Sequence, residues 1–175
     1  HASKEIILSA GAIGTPHILM LSGIGPEQHL RDLNIDVVNN SPGVGSNLND
    51  HPDFVLKYKC TKPISLWPKT KKIASVIEGL RWFLFSDGMC ASNHFDVIAC
   101  IRSNQSISYP DIQLCVSPIA VDDKTWKPIQ EHAFQIHVGL MQTFSRGYLR
   151  LVDSNPLSDP IICGNYLSDE RDIKA

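Results

Sequence analysis

From about residue 53 onward the chain breaks into short apolar segments, and this pattern narrows its fold more than any other feature. Residues 54–60, 95–101, 112–118, 134–140 and 148–152 each read as a strand, set apart by polar turns that carry Pro or Gly. One longer stretch, residues 70–85, has helical spacing instead, with Ile73, Val76, Ile77, Leu80 and Phe83 on one side. Strands that follow strands, without regular strand–helix alternation, predict an α+β domain built on an antiparallel sheet.

The first fifty residues differ in kind. Residues 5–9 form an apolar run closed by Ala10-Gly11, the pattern of a buried strand entering a turn. Thr15-Pro16 predicts a helix start, with Thr15 as N-cap and Pro16 in the first helical position, where free N–H groups face any anion. A second short helix is expected over residues 26–33, with Leu30 and Leu33 turned inward, and a short strand over 35–38. A glycine-bearing loop, Pro42-Gly43-Val44-Gly45-Ser46-Asn47, follows. The expected division is therefore residues 1–52, like the closing portion of an α/β nucleotide-binding domain, and residues 53–175, a sheet domain.

Composition excludes several function classes. The 16 basic and 18 acidic residues leave a formal charge of -2, which offers no electrostatic footprint for nucleic acid or an anionic membrane. No window has the ~18 consecutive apolar residues of a membrane span. Cys60, Cys90, Cys100, Cys115 and Cys163 are odd in number and form no CxxC. They are expected as reduced, buried thiols and point to a cytoplasmic setting. The chain opens almost directly on an apolar segment and stops where residues 169–175 begin a helical turn, so both ends are expected to be cuts in a longer protein.

Three stretches carry a family resemblance. Gly11-Ala12-Ile13-Gly14-Thr15-Pro16-His17-Ile18-Leu19-Met20-Leu21-Ser22-Gly23-Ile24-Gly25 resembles the second signature of the glucose–methanol–choline (GMC) oxidoreductases. Pro42-Gly43-Val44-Gly45-Ser46-Asn47-Leu48-Asn49-Asp50-His51 resembles that family's Gly-Val-Gly-x-Asn-Leu-x-Asp-His loop, which lies near the flavin. Ala91-Ser92-Asn93-His94-Phe95-Asp96 is similar to the choline dehydrogenase branch, as are residues 101–103, 109–113, 132–139, 145–151 and 165–167.

The resemblance implies an FAD-dependent alcohol oxidoreductase, with residues 53–175 as an incomplete substrate-binding domain. It implies FAD-facing roles for Gly11, Thr15, Pro16, Asn47, Asp50 and His51, and substrate-facing roles for His94 and Asp96. Choline-specific members carry Glu where this chain has Asp96, one methylene shorter, so the substrate is a choline-like alcohol rather than choline by necessity. The family's GxGxxG phosphate loop is absent, and its catalytic base falls past residue 175. None of the seven histidines inherits that role, and the chain alone is expected to be inactive. A family lyase with structural flavin and a stand-alone binding module remain as alternatives. Self-association of the chain is expected, since apolar surface that the flavin and the rest of the protein would cover is left open; association of the whole protein with a membrane and the electron acceptor stay open at this point. As a structural alternative, Asp96 pairs with Arg102 or Arg146.

Overall fold

Four of the predicted strands become one antiparallel sheet. The computed structural model describes residues 2–175. In it β4 (Asp53–Lys59), β5 (Val97–Ile101), β6 (Ile112–Ser117) and β7 (Ala133–Leu140) pair in the order β4-β7-β6-β5. The register sets Val55 opposite His137, His137 opposite Cys115, and Cys115 opposite Ile98. Since successive side chains alternate across a strand, the sheet has two unlike faces. Phe54, Leu56 and Tyr58 share one with Phe134, Ile136 and Val138, and Tyr58 stacks on Phe134 at 5.4 Å. Asp53, Gln113, Cys115, Gln135 and His137 share the other.

This sheet belongs to a unit spanning His51–Gln142. The same unit holds α3 (Lys72–Phe85), entered from a 3-10 turn at Trp67–Thr70 and closed by Ser86 in the left-handed conformation. Its apolar stripe is open, with Ile73 80% and Phe83 76% exposed. What anchors the helix is the opposite side, where the buried Glu78 accepts the Met89 N–H at 2.9 Å and pairs with Lys69 at 3.3 Å.

The other unit joins the residues through Asp50 to Thr143–Lys174. Its core is Met20, Leu30, Leu149 and Leu151, with Leu21, Leu33, Ile35, Val37 and Val44 packed around them. Met20 comes from α1 (Gly11–Leu21) and Leu30 from α2 (Glu27–Asp32). Short strands β1 (Ile24–Gly25) and β2 (Asn39–Asn40) run parallel. β3 (Ser46–Leu48), β8 (Gly147–Arg150) and β9 (Ile161–Cys163) form a second antiparallel sheet. α4 (Glu170–Lys174) follows, in agreement with the helical turn read at residues 169–175.

Several expectations fail here for identifiable reasons. Residues 5–9 are not a strand: Ile6 and Ile7 are 77% and 79% exposed, and no neighbouring strand among the described residues pairs with them. The strand expected at 35–38 is displaced to Asn39–Asn40, because Val38 and Asn39 both donate to the Gly23 carbonyl as the chain turns. The helix starts at Gly11, so Thr15 is not its N-cap and Pro16 lies inside it. Thr15 reaches back instead, its Oγ1 accepting the Ala10 N–H at 3.0 Å, which satisfies a donor the helix leaves over. The chain passes from the first unit to the second between Asp50 and His51. Residues 143–174, however, pack with the first unit, because Leu149 and Leu151 complete its core. All five cysteines are free, yet none is buried.

Candidate functional site

The two motifs near the N-terminus meet in the first unit. A cavity of about 190 Å³ is lined by Ala12 and Pro16 of α1, by Gly45, Ser46, Asn47 and Asn49 of the loop and β3, and by Leu48 and Leu149. The loop reaches this position because Gly45 adopts φ +69°, and its carbonyl accepts both the Leu149 N–H and Arg150 Nη1 at 2.7 Å.

Most polar groups around this cavity are already committed. Asn49 donates to the Thr143 carbonyl at 3.4 Å and accepts from Thr143 Oγ1 at 3.1 Å. Ser46 Oγ donates to the Pro42 carbonyl at 3.1 Å. Asn47 differs: it sits at φ +58°, exposed, and its side-chain amide makes no hydrogen bond among the described residues. Of the six residues given FAD-facing roles by resemblance, Pro16 and Asn47 line the cavity, while Gly11 and Thr15 lie elsewhere on α1.

Asp50 is held by Tyr166, whose hydroxyl donates to Asp50 Oδ2 at 2.6 Å. That bond, then burial, then the carboxylate charge hold the phenol above the ordinary tyrosine range. Spectrophotometric titration is expected to find Tyr166 among the last tyrosines to ionise, with Asp50→Asn moving it back down. An unchanged titration in that variant would contradict the assignment.

His51 belongs to the second unit, in a cavity of about 190 Å³ over the polar face of the four-stranded sheet. Asp53, Phe95, Gln113, Cys115, His137 and Met141 complete most of its wall. His137 Nδ1 meets Asp53 Oδ2 at 2.6 Å, and its Nε2 meets Gln135 Nε2 at 2.7 Å. Asp, His and Cys side by side suggest a nucleophile triad. Both ring nitrogens are taken, however, so His137 has none left to activate Cys115. Sequence reading passed over this cluster. The available signal was Gln135 and His137 two residues apart in an otherwise apolar strand, which places both on one face.

His94 and Asp96 flank Phe95 and do not line this cavity. His94 takes φ +63°, and its Nδ1 is buried without a hydrogen-bond partner among the described residues. Such an orphaned atom in a folded protein calls for an explanation. Asp96 is exposed, and its N–H donates to the Val116 carbonyl at 3.1 Å. Neither arginine proposed as its partner reaches it. Arg102 donates to the Ile107 carbonyl at 3.0 Å, and Arg146 to the Thr143 and Ser145 carbonyls at 2.7 and 2.8 Å.

Residues 1–53 match the family model described as GMC oxidoreductase. The oxygen-dependent choline dehydrogenase of Brucella ovis is 43% identical over 171 residues, which cover 98% of this chain and 31% of that protein. Both comparisons thus show the chain to be similar to GMC oxidoreductases. The oxygen-dependent choline dehydrogenase of Pseudomonas aeruginosa is 41% identical over 172 residues, again 98% of this chain and 31% of the relative. This chain thus spans about a third of the length of the curated relatives it matches. A formate oxidase structure from Aspergillus oryzae superposes with a TM-score of 0.87 at 22% identity, covering 99% of this chain and 35% of that one. At that identity the likeness speaks for the fold, and it agrees with the mixed helix and antiparallel-sheet architecture expected of a GMC protein. That oxidase is described with FAD, the cofactor expected from the resemblance. Among the described residues no helix is long and apolar enough to cross a membrane.

Proposed function

We propose that this chain serves as part of an FAD-dependent oxidoreductase that converts choline, or a similar primary alcohol, to its aldehyde. The observation that carries the reading is 43% identity across 98% of the chain to an oxygen-dependent choline dehydrogenase. The residues of the first cavity fit a cofactor edge. Gly45 and Ala12 keep its wall low enough for close approach, and Asn47 offers an uncommitted amide donor and acceptor.

In this reading Pro16 and Asn47 form a wall against the cofactor, with Gly11, Thr15 and Asp50 shaping the segments behind it and His51 carried by the second unit. The second unit binds and orients the alcohol, and the buried Nδ1 of His94 is its free polar contact. Asp96 keeps a carboxylate without a side-chain partner among the described residues, at the position where choline-specific members carry Glu. When bound, FAD supplies the two-electron acceptor, taking hydride from the alcohol carbon while the hydroxyl proton leaves to a base. No histidine of this chain is assigned as that base.

The test is anaerobic mixing of the flavin-loaded, full-length protein with choline and, separately, with propanol. Loss of the oxidised flavin absorbance is expected with choline. Bleaching by propanol alone would keep an alcohol oxidoreductase and discard choline. An unbleached, flavin-bound protein would overturn the oxidoreductase reading.

A further inference from the structure

The strand that holds the glycine-bearing loop is tied to α2 by a single imidazole. Leu151 follows β8 and is 3% exposed, and its N–H meets His29 Nε2 at 3.1 Å. A backbone N–H can only donate, so Nε2 is the bare nitrogen and Nδ1 carries the ring proton. A second proton, on Nε2, would set two donors head-on and leave the Leu151 N–H without an acceptor.

The two residues before Leu151 hold the loop itself. The Leu149 N–H and Arg150 Nη1 both donate to the Gly45 carbonyl at 2.7 Å, and Arg150 Nη2 donates to Ser46 Oγ at 3.2 Å. Arg150 Nη1 also reaches the Leu149 carbonyl at 2.8 Å, and its guanidinium lies 5.5 Å from the Tyr148 ring centroid. Residues 149–151 thus fasten the wall made by Gly45, Ser46 and Leu149 to α2.

The surroundings of His29 disfavour a second proton. The ring is half-buried, and Arg150 faces it from β8. Burial first, then the Arg150 charge, hold it below the ordinary histidine range, while Asp32 on its own helix works the other way. Asp32 is exposed and already accepts Gln28 Nε2 at 2.8 Å, and the remaining charges of α2, Glu27 and Arg31, pair with each other at 2.7 Å. A fold that holds this proton less tightly than the unfolded chain keeps its full stability above the unfolded value near ~6.5. That stability is lost as pH falls through the lower folded value.

We propose that His29 is a positioning residue for the cofactor: neutral, it keeps β8 and the 42–47 loop in the shape that binds flavin, and protonated, it releases them. The inference rests on the reading of the first cavity as a flavin wall and adds to it an acid-triggered loss of the cofactor.

The experiment follows flavin release from the full-length, flavin-loaded protein, by free-flavin fluorescence, between about pH 8 and about pH 5. Hydrogen-exchange protection of the Leu149 and Leu151 amides is measured alongside. Flavin affinity of the parent protein is expected to fall about tenfold or more over this range. His29→Gln offers an amide oxygen in place of Nε2 and has no proton to gain there. It should bind flavin within about twofold of the parent at the upper pH and flatten the acid fall to under about threefold. His29→Ala should bind about tenfold more weakly at both ends, with the same flattening. Should His29→Ala fail to fold, His29→Gln and the ring nitrogens decide. An unchanged acid fall in His29→Gln, or an Nε2–H ring in ¹⁵N spectra, would overturn the proposal. If the parent held no flavin at any pH, the cofactor reading would fall, and amide protection would judge the latch by itself. Acid loss of protection that His29→Gln abolishes would support it, and protection that ignores both pH and the substitution would sink it.

Discussion

Replacing Asp172 with alanine is expected to lower the stability of the first unit by about 3–5 kcal/mol, since it strands two buried donors of Ser145 and the part-buried Phe144 N–H at ~1–3 kcal/mol each, partly relieved by water. Asp172 is 4% exposed on α4. It accepts the Phe144 N–H at 2.8 Å, the Ser145 N–H at 2.8 Å and the Ser145 hydroxyl at 2.5 Å. One carboxylate thus holds the entry to β8, the strand whose Leu149 lies in the core. Burial works against its ionisation. The donors of Ser145 and Phe144 outweigh that and leave the carboxyl below the usual aspartate range.

The sign of the pH dependence follows. A folded state that holds this proton less tightly than the unfolded chain gains stability that is complete above the unfolded value near ~4. That stability disappears as pH falls through the lower folded value. Urea unfolding followed by hydrogen exchange of the Leu149 amide is the measurement. The alanine variant should exchange faster at neutral pH and lose this part of its acid dependence. A variant as stable as the parent chain would mean the three donors find water instead.

The sequence disclosed the second unit better than the first, and the reason is local. Strands 53–59, 112–117 and 133–140 announce themselves through alternation, because each has one apolar and one more polar face, and 97–101 through an unbroken apolar run. The first unit is assembled from non-local partners. Its core pairs Met20 and Leu30 with Leu149 and Leu151, more than a hundred residues away, and no periodicity encodes that return. β9 was missed because residues 161–163 are too short to alternate. Thr15-Pro16 misled for a different reason. The pair is a common helix start, but here the small residues Ala10, Gly11, Ala12 and Gly14 let the turn begin earlier. At Gly14 a side chain would meet the Ala10 Cβ at 2.9 Å. Site chemistry was half legible. Asn47 enters the candidate site through its motif, whereas the Asp53–His137–Gln135 chain needs the β4–β7 register to bring residues 53 and 137 together.

Gly45→Ala and Gly43→Ala should separate sharply, although both glycines belong to the same three-residue motif. Gly45 sits at φ +69°, where a side chain costs roughly 1–2 kcal/mol, and its new Cβ would strike the Leu149 carbonyl and crowd Arg150 Nη1 at 3.2 Å. Relieving that contact pulls the Gly45 carbonyl away from the Leu149 N–H and from Arg150, bonds worth ~1 kcal/mol or more each. A total loss of about 3 kcal/mol is expected, with the Leu149 amide again the reporter. Gly43 has open space where a Cβ would go and no positive φ, so alanine there should be neutral or stabilise by up to ~1 kcal/mol through the unfolded chain. The contrast also bears on function, because Gly45 lines the same cavity as Pro16 and Asn47. If Gly43→Ala proved the more damaging to flavin binding while leaving stability intact, the first glycine would be serving a ligand rather than the fold. If Gly45→Ala alone cost both, the loop's shape would be the whole of its contribution.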